Sequence, residues 1–202
     1  IRTRRCSDFK TSSNNVGKSN YTGVYILSGV DGIVQGNTVR DSGYSGEAGI
    51  QRAGIAVNKS NRIKVSDNFI ESVPNMGLTV NQSVDCGIKG NSIKNCKSHA
   101  IYLRGGCEGC SIELNKMIIN TPDFTSSRLF RINGANRTFV SSNKAILSED
   151  VLIDIGLQLQ SAQKTFVTSN DLFSNFKNAI VNESSSTEYV SSNNLNQLGE
   201  LI

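Results

Sequence analysis

The 202-residue chain is predicted to be all-β, a single-stranded right-handed parallel β-helix (solenoid) of about seven coils with three short strands per coil. Three observations carry this expectation. An alternating apolar template recurs seven times along the chain. An asparagine follows each copy's opening at an almost constant distance. The composition is rich in Ser, Asn and Gly, with no Trp and two Pro, which is the usage of a turn-rich β protein.

The template is a small or apolar residue, then apolar-x-apolar, then about seven residues, then an apolar residue with Asn two or three positions later. Its copies open at Gly23, Gly54, Gly77, Ala100, Leu129, Gly156 and Ala179. Their asparagines are Asn37, Asn68, Asn91, Asn115, Asn143, Asn170 and Asn193. The offset is 14 residues in six copies and 15 in the copy at Ala100, where Gly105-Gly106 supplies an extra residue.

Four apolar columns follow from this register. The first is Val24, Ile55, Leu78, Ile101, Phe130, Leu157 and Ile180, and the second is Ile26, Val57, Val80, Leu103 and Ile132. The third is Val34, Val65, Ile88, Ile112, Val140, Val167 and Val190, and the fourth is Val39, Ile70, Ile93 and Met117. Alternation of period two over short runs means strands with one face buried. Parallel crossover connections are right-handed, which sets the hand of the coil. The asparagine suits a tight bend because it tolerates the left-handed backbone conformation, and its amide can bond the asparagine of the next coil. A leucine-rich repeat would need a denser leucine consensus and a shorter period.

One domain is expected over 1–202, with 1–22 an irregular or partial first coil and 23–202 the seven coils, the whole belonging to a larger protein. From each asparagine to the next opening the chain runs 17, 9, 9, 14, 13 and 9 residues, so length varies at a single turn of the coil. The two largest excursions are 40–53, RDSGYSGEAGIQRA, and 120–128, NTPDFTSSR. Loops on one side of a regular scaffold commonly carry function, and these bracket the coils that open at Gly54, Gly77 and Ala100. A groove is expected there. Its floor would be Ala56, Asn58, Thr79, Asn81, Tyr102 and Arg104, with Arg131 and Asn133 on the next coil. Its walls would carry Asp41, Tyr44, Glu47, Arg52, Asp123 and Arg128. A polar, partly cationic surface with one aromatic suits a sugar chain, although a solvated β-face would look the same.

The net charge of +4 favours an anionic partner such as an acidic polysaccharide, only mildly. The cations are scattered without aromatic interleaving, so nucleic acid is not expected. No apolar run reaches the length of a membrane span, and Ile1-Arg2-Thr3-Arg4-Arg5 precedes no signal-like apolar region. The chain therefore reads as soluble, and as a processed form or an excised fragment. Cys6, Cys86, Cys96, Cys107 and Cys110 are odd in number, against a complete disulfide framework. Cys107-Glu108-Gly109-Cys110 has zinc-site spacing, but Cys86 and Cys110 stand at equivalent coil positions and Cys107 replaces Ser60 and Ser83. Small residues stacked in a column explain them better, so no metal and no cofactor is expected.

The columns resemble those of the pectin-lyase-like superfamily of right-handed β-helices, which includes pectate lyases, polygalacturonases, alginate epimerases and phage tailspikes. In that superfamily the groove beside the opening strand holds the substrate. The local pattern is similar to polygalacturonases, which place a His just before one opening strand and an Arg two residues into the strand of the next coil. Ser98-His99-Ala100-Ile101 and Leu129-Phe130-Arg131-Ile132-Asn133 match, with Asn133 where that motif has Lys. The catalytic aspartates of those enzymes fall where this chain has Arg52-Ala53 and Asn75-Met76. Hydrolysis would then need carboxylates from the walls, Asp41, Glu47 or Asp123. A lyase needs only a base and cations to stabilise a developing carbanion, and His99, Arg104, Arg128 and Arg131 form such a set.

The expectation is a polysaccharide-binding domain, with degradation by lyase or glycosidase chemistry left open. The alternative is a non-catalytic adhesion or structural module. The catalytic candidates are His99, Arg104, Arg131, Glu47 and Asp123. The substrate-binding candidates are Asn58, Thr79, Asn81, Tyr102, Arg128, Asn133, Tyr44 and Asp41. The partner would be a polysaccharide of acidic type, the location extracellular or on a virion surface. The open stack ends call for a homotrimer or adjoining domains.

Overall fold

The computed structural model describes residues 1–44, 52–121, 128–172, 176–183 and 189–192, the last four by their backbone alone. Among them there is no helix. The chain winds as a right-handed solenoid of about seven turns, and its strands stack into three parallel sheets. The first and second sheets each have eight strands and the third has six. Residues 2–17 contribute one strand to each sheet, ahead of the coil that opens at Gly23.

The apolar columns are the core. Val24, Ile55, Leu78, Ile101, Phe130, Leu157 and Ile180 pair in sequence across the first sheet. Ile26, Val57, Val80, Leu103, Ile132 and Leu159 form the neighbouring inward row. Val34 through Val167 line the second sheet. Val39, Ile70, Ile93 and Met117 line the third, extended by Val16 and Ala145. Full burial of each such side chain contributes about 2 kcal/mol. The opening position is narrow: a Cβ on Gly77 would lie 2.5 Å from Ile93 Cγ2 and 2.7 Å from the Ala100 carbonyl oxygen.

Two sequence expectations change. The last coil is shifted by one, so Val190 pairs with Phe166 and Ser191 with Val167. The chain takes 11 residues from Ile180 to Ser191 against 10 from Leu157 to Val167. The ladder asparagines also do not themselves adopt the left-handed conformation. The residue before each does: Ser13, Gly36, Asp67, Gly90, Leu114, Ser142 and Ser169 have φ between 54° and 67°. That residue turns the corner and leaves the asparagine free to point inward.

Once inward, each asparagine is fully engaged. Asn68 Oδ1 accepts from both the backbone N–H and the side-chain amide of Asn37, at 2.9 Å each. The same pair of bonds recurs from Asn68 to Asn91, Asn91 to Asn115, and Asn115 to Asn143. The ladder begins one coil earlier than the template, at Asn14, and continues to Asn170. Asn193 lies outside the described residues.

Candidate functional site

The strand Ile101–Arg104 alternates, with Ile101 and Leu103 in the core and Tyr102 and Arg104 facing outward. Parallel pairing places Arg131 beside Tyr102 and Asn133 beside Arg104. The Gly105-Gly106 pair, with φ of +68° and +85°, absorbs the extra residue of this coil. Ser98 and His99 lie in the turn that precedes the strand, one coil above Asn75 and Met76. Register alone therefore gathers the chemistry around the Tyr102 ring.

His99 stacks on Tyr102, with ring centroids 4.9 Å apart and planes 21° from parallel. The guanidinium carbon of Arg131 lies 5.3 Å from the Tyr102 centroid and that of Arg104 5.7 Å. Both distances are within cation–π range. Arg131 Nη2 donates to Gln160 Oε1 at 2.7 Å, while its buried Nε has no hydrogen-bond partner. Ser98 Oγ and His99 Nδ1 are 3.0 Å apart. Beside them opens a cleft of about 190 Å³ lined by Arg52, Asn75, Met76, Ser98, His99, Tyr102 and Arg104.

Burial, and then the charges of Arg131 and Arg128, lower the His99 pKa to about 4. The imidazole is neutral at neutral pH, which corrects its expected place among the cations. The positive charge of the site belongs to arginines, and His99 contributes a neutral ring that can accept a proton only weakly.

The rest of the expected floor behaves differently. Asn58 and Thr79 are buried, at 7% and 2% exposure. Asn58 Nδ2 donates to the Tyr25 hydroxyl at 3.2 Å and its Oδ1 accepts from Asn81 at 2.9 Å, while Thr79 donates to the Tyr102 carbonyl. Ala56 is closed off in a small apolar cluster with Tyr25, Ala53 and Met76. Asn81, Tyr102, Arg104, Arg131 and Asn133 retain partial exposure, so the open floor begins at Asn81.

Of the walls, Arg128 starts the strand Arg128–Asn133 and its charge reaches His99. Tyr44 faces a different cleft, with Ser72, Pro74, Asn95, Lys97 and Thr121. Asp41 has a left-handed φ of 46° at the end of the third-sheet strand Thr38–Arg40. Glu47 and Asp123 lie outside the described residues. Sequence reasoning had not singled out Ser98 or Gln160, the polar partners of His99 and Arg131; their outward positions were legible, their pairing was not.

The cysteines stack as the register implies. Cys86 and Cys110 occupy adjacent coils, Cys107 continues the Ser60 and Ser83 column, and all three are buried free thiols. The Cys107 thiol is pushed up by its hydrogen bond with Cys110 and by burial. Burial pushes Cys96 up to about 12.

Fold and site together define a right-handed parallel β-helix of pectin-lyase-like fold that exposes an arginine-rich, aromatic-centred patch on its first sheet. Residues 1–199 match the family model described as "Periplasmic copper-binding protein (NosD)", and the chain belongs to that NosD family. Among solved structures it is similar to the A-module of the mannuronan C-5 epimerase AlgE4 from Azotobacter vinelandii. The TM-score is 0.61 at 10% identity, covering 91% of this chain and 58% of that one. It is also similar to DFA-IIIase from Arthrobacter chlorophenolicus A6 in complex with GF2, with TM-score 0.50, 12% identity, and 91% and 53% covered. At such identities the likeness is one of fold, and this chain spans little more than half of either structure. No curated protein matches the sequence.

The family's description raises the question of a copper donor set. Copper is held by thiolate, thioether or imidazole ligands converging on one point. The described residues contain no group of three or more His, Cys, Asp or Glu placed to hold a metal ion. The chain's single histidine is stacked on Tyr102, and the thiol of Cys107 is held in its protonated form. The described residues do not fit copper.

Proposed function

We propose that this chain binds an acidic polysaccharide along the outward face of the first sheet, centred on Tyr102. The observation that carries the reading is the Tyr102 ring, with Arg104 and Arg131 against it, at an open cleft that Tyr102 and Arg104 both line. Carboxylates along an acidic sugar chain pair with guanidinium donors in bidentate geometry. The fold likeness to a mannuronan epimerase and to DFA-IIIase supports a carbohydrate ligand. The family's periplasmic description supports a location outside the cytoplasm.

Where the site is catalytic, lyase chemistry fits it better than hydrolysis. The arginines stabilise the enolate-like charge that forms when the proton beside a uronate carboxylate is removed. His99, neutral at pH 7 and stacked on Tyr102, would be the proton acceptor. A non-catalytic adhesin, in a tailspike or another surface protein, uses the same contacts without that step.

The test is incubation with alginate, polygalacturonate and bacterial capsular polysaccharides, following binding, unsaturated products by ultraviolet absorbance, and new reducing ends. Binding with unsaturated products establishes the lyase; binding alone establishes the adhesin. Absence of binding to every acidic polymer, or binding unchanged in both Arg104→Ala and Arg131→Ala, overturns the reading.

A further inference from the structure

The outward face of the second sheet carries features that the first-sheet site does not use. Its outermost row runs Ile33, Lys64, Gly87, Ser111, Phe139 and Phe166 in successive coils. Phe139 and Phe166 are 40% and 49% exposed. Two neighbouring phenylalanines on an exposed sheet face form an apolar platform where a strand would ordinarily place polar residues. The next two coils along carry only Ser111 and Gly87, so the face drops into a depression of about 470 Å³. That volume falls within the range of small-molecule sites, roughly 300–1,000 Å³.

Leu114 forms one wall of this depression. It is 54% exposed and holds φ at 55°, in the column where the other coils place Ser, Gly or Asp. A branched apolar residue at that conformation costs about 1–2 kcal/mol relative to glycine or asparagine. Stability alone does not select a strained leucine pointing at water. The charges around the depression cancel: Lys64 and Lys89 supply two ammonium groups, Asp67 and Glu113 two carboxylates. Hydroxyls of Ser66 and Ser111 complete the rim.

We propose that this face is a second carbohydrate site, selective for an uncharged glycan that lies along the solenoid axis. Its sugar rings stack on Phe166 and Phe139 and then enter the depression over Ser111 and Gly87, against Leu114. The apolar floor and platform receive the C–H faces of the rings. Alternating ammonium, carboxylate and hydroxyl groups bond ring hydroxyls as donors and acceptors, and the zero net charge gives an ionic ligand no advantage. The proposal stands independently of the first-sheet site, because the two surfaces share no side chain.

Gly87 offers a clean block. A Cβ there would meet only Ser111 Oγ, at 3.7 Å, and the residue does not need a positive φ, so Gly87→Leu brings a side chain into the depression without a clash at its Cβ. Neutral gluco-, manno-, galacto- and xylo-hexasaccharides are titrated calorimetrically into the full chain, Gly87→Leu, Phe139→Ala and Arg131→Ala, with each variant's thermal midpoint as the folding check. At least one hexasaccharide is expected to bind. Gly87→Leu and Phe139→Ala should each weaken it about tenfold or more, and Arg131→Ala should leave it unchanged. The proposal is overturned if no hexasaccharide binds, if binding survives both second-sheet variants, or if Arg131→Ala alone removes it. A dimer in sedimentation that Phe139→Ala dissolves, without sugar binding, overturns it in favour of self-association.

Discussion

The same coils present two outward faces of opposite character. On the first sheet the outward row around Tyr102 is crowded: Ala56 and Thr79 are closed over, His99 stacks on the tyrosine, and the charge is carried by arginines. On the second sheet, in the coils from Lys64 to Ser111, the equivalent row is thinned to Gly87 and Ser111, and its charges cancel. Both faces are anchored by the same inward columns, so the core does not distinguish them. What differs is whether the outward positions are filled or emptied, which the solenoid tolerates because those side chains bear little of its stability.

The largest perturbation should strike both faces together. Asn91 accepts two bonds from Asn68 and donates to Asn115 Oδ1 and the Val65 carbonyl. Asn91→Ala leaves several buried partners unsatisfied, and a loss of about 4 kcal/mol is expected from urea denaturation. Ligand binding at the two faces should fall in parallel. A ligand retained at one face would show that the faces are held separately.

A smaller effect should belong to the first face only. The folded-state pKa of His99, about 4, lies below the ordinary 6.5. The unfolded chain therefore binds the proton more readily between those values. The stability tied to neutral His99 is complete above pH 6.5 and is lost as pH falls through 4, a change of at most about 3 kcal/mol. His99→Gln should flatten the denaturation midpoint across that window; an unchanged slope would place the titration elsewhere.

The second face makes an opposite prediction. Leu114→Asn relieves the left-handed strain and should stabilise the fold by about 1 kcal/mol, while weakening any ligand in the depression. A variant both less stable and equally able to bind would remove the argument from strain. The smallest effect is expected at the turn that joins the faces, where Arg62 Nε lies 2.6 Å from Asp31 in an exposed ion pair. Arg62→Ala should leave the thermal midpoint indistinguishable from wild type, since solvent screens such pairs.

The coil register was legible because apolar alternation and the asparagine offset report the same geometry twice. It places His99, Tyr102, Arg104 and Arg131 on adjacent coils from the sequence alone. It did not reveal that Asn58 and Thr79 are closed, since spacing gives the face a side chain points to but not whether anything lies over it. The left-handed residue before each ladder asparagine was equally hidden, because Ser, Gly, Asp and Leu at that position share no side-chain chemistry.

The sequence by itself determined the parallel β-helix, its inward columns and the identity of the outward rows, because a strand's side chains alternate strictly and each coil repeats the constraint. Only the tertiary structure decided the protonation of His99, the partners of Arg131, the closure of Ala56, Asn58 and Thr79 in the expected floor, and the depression beside Leu114. Those properties depend on burial and on distances between coils more than twenty residues apart in sequence. A periodic pattern records such neighbours but not the space between them.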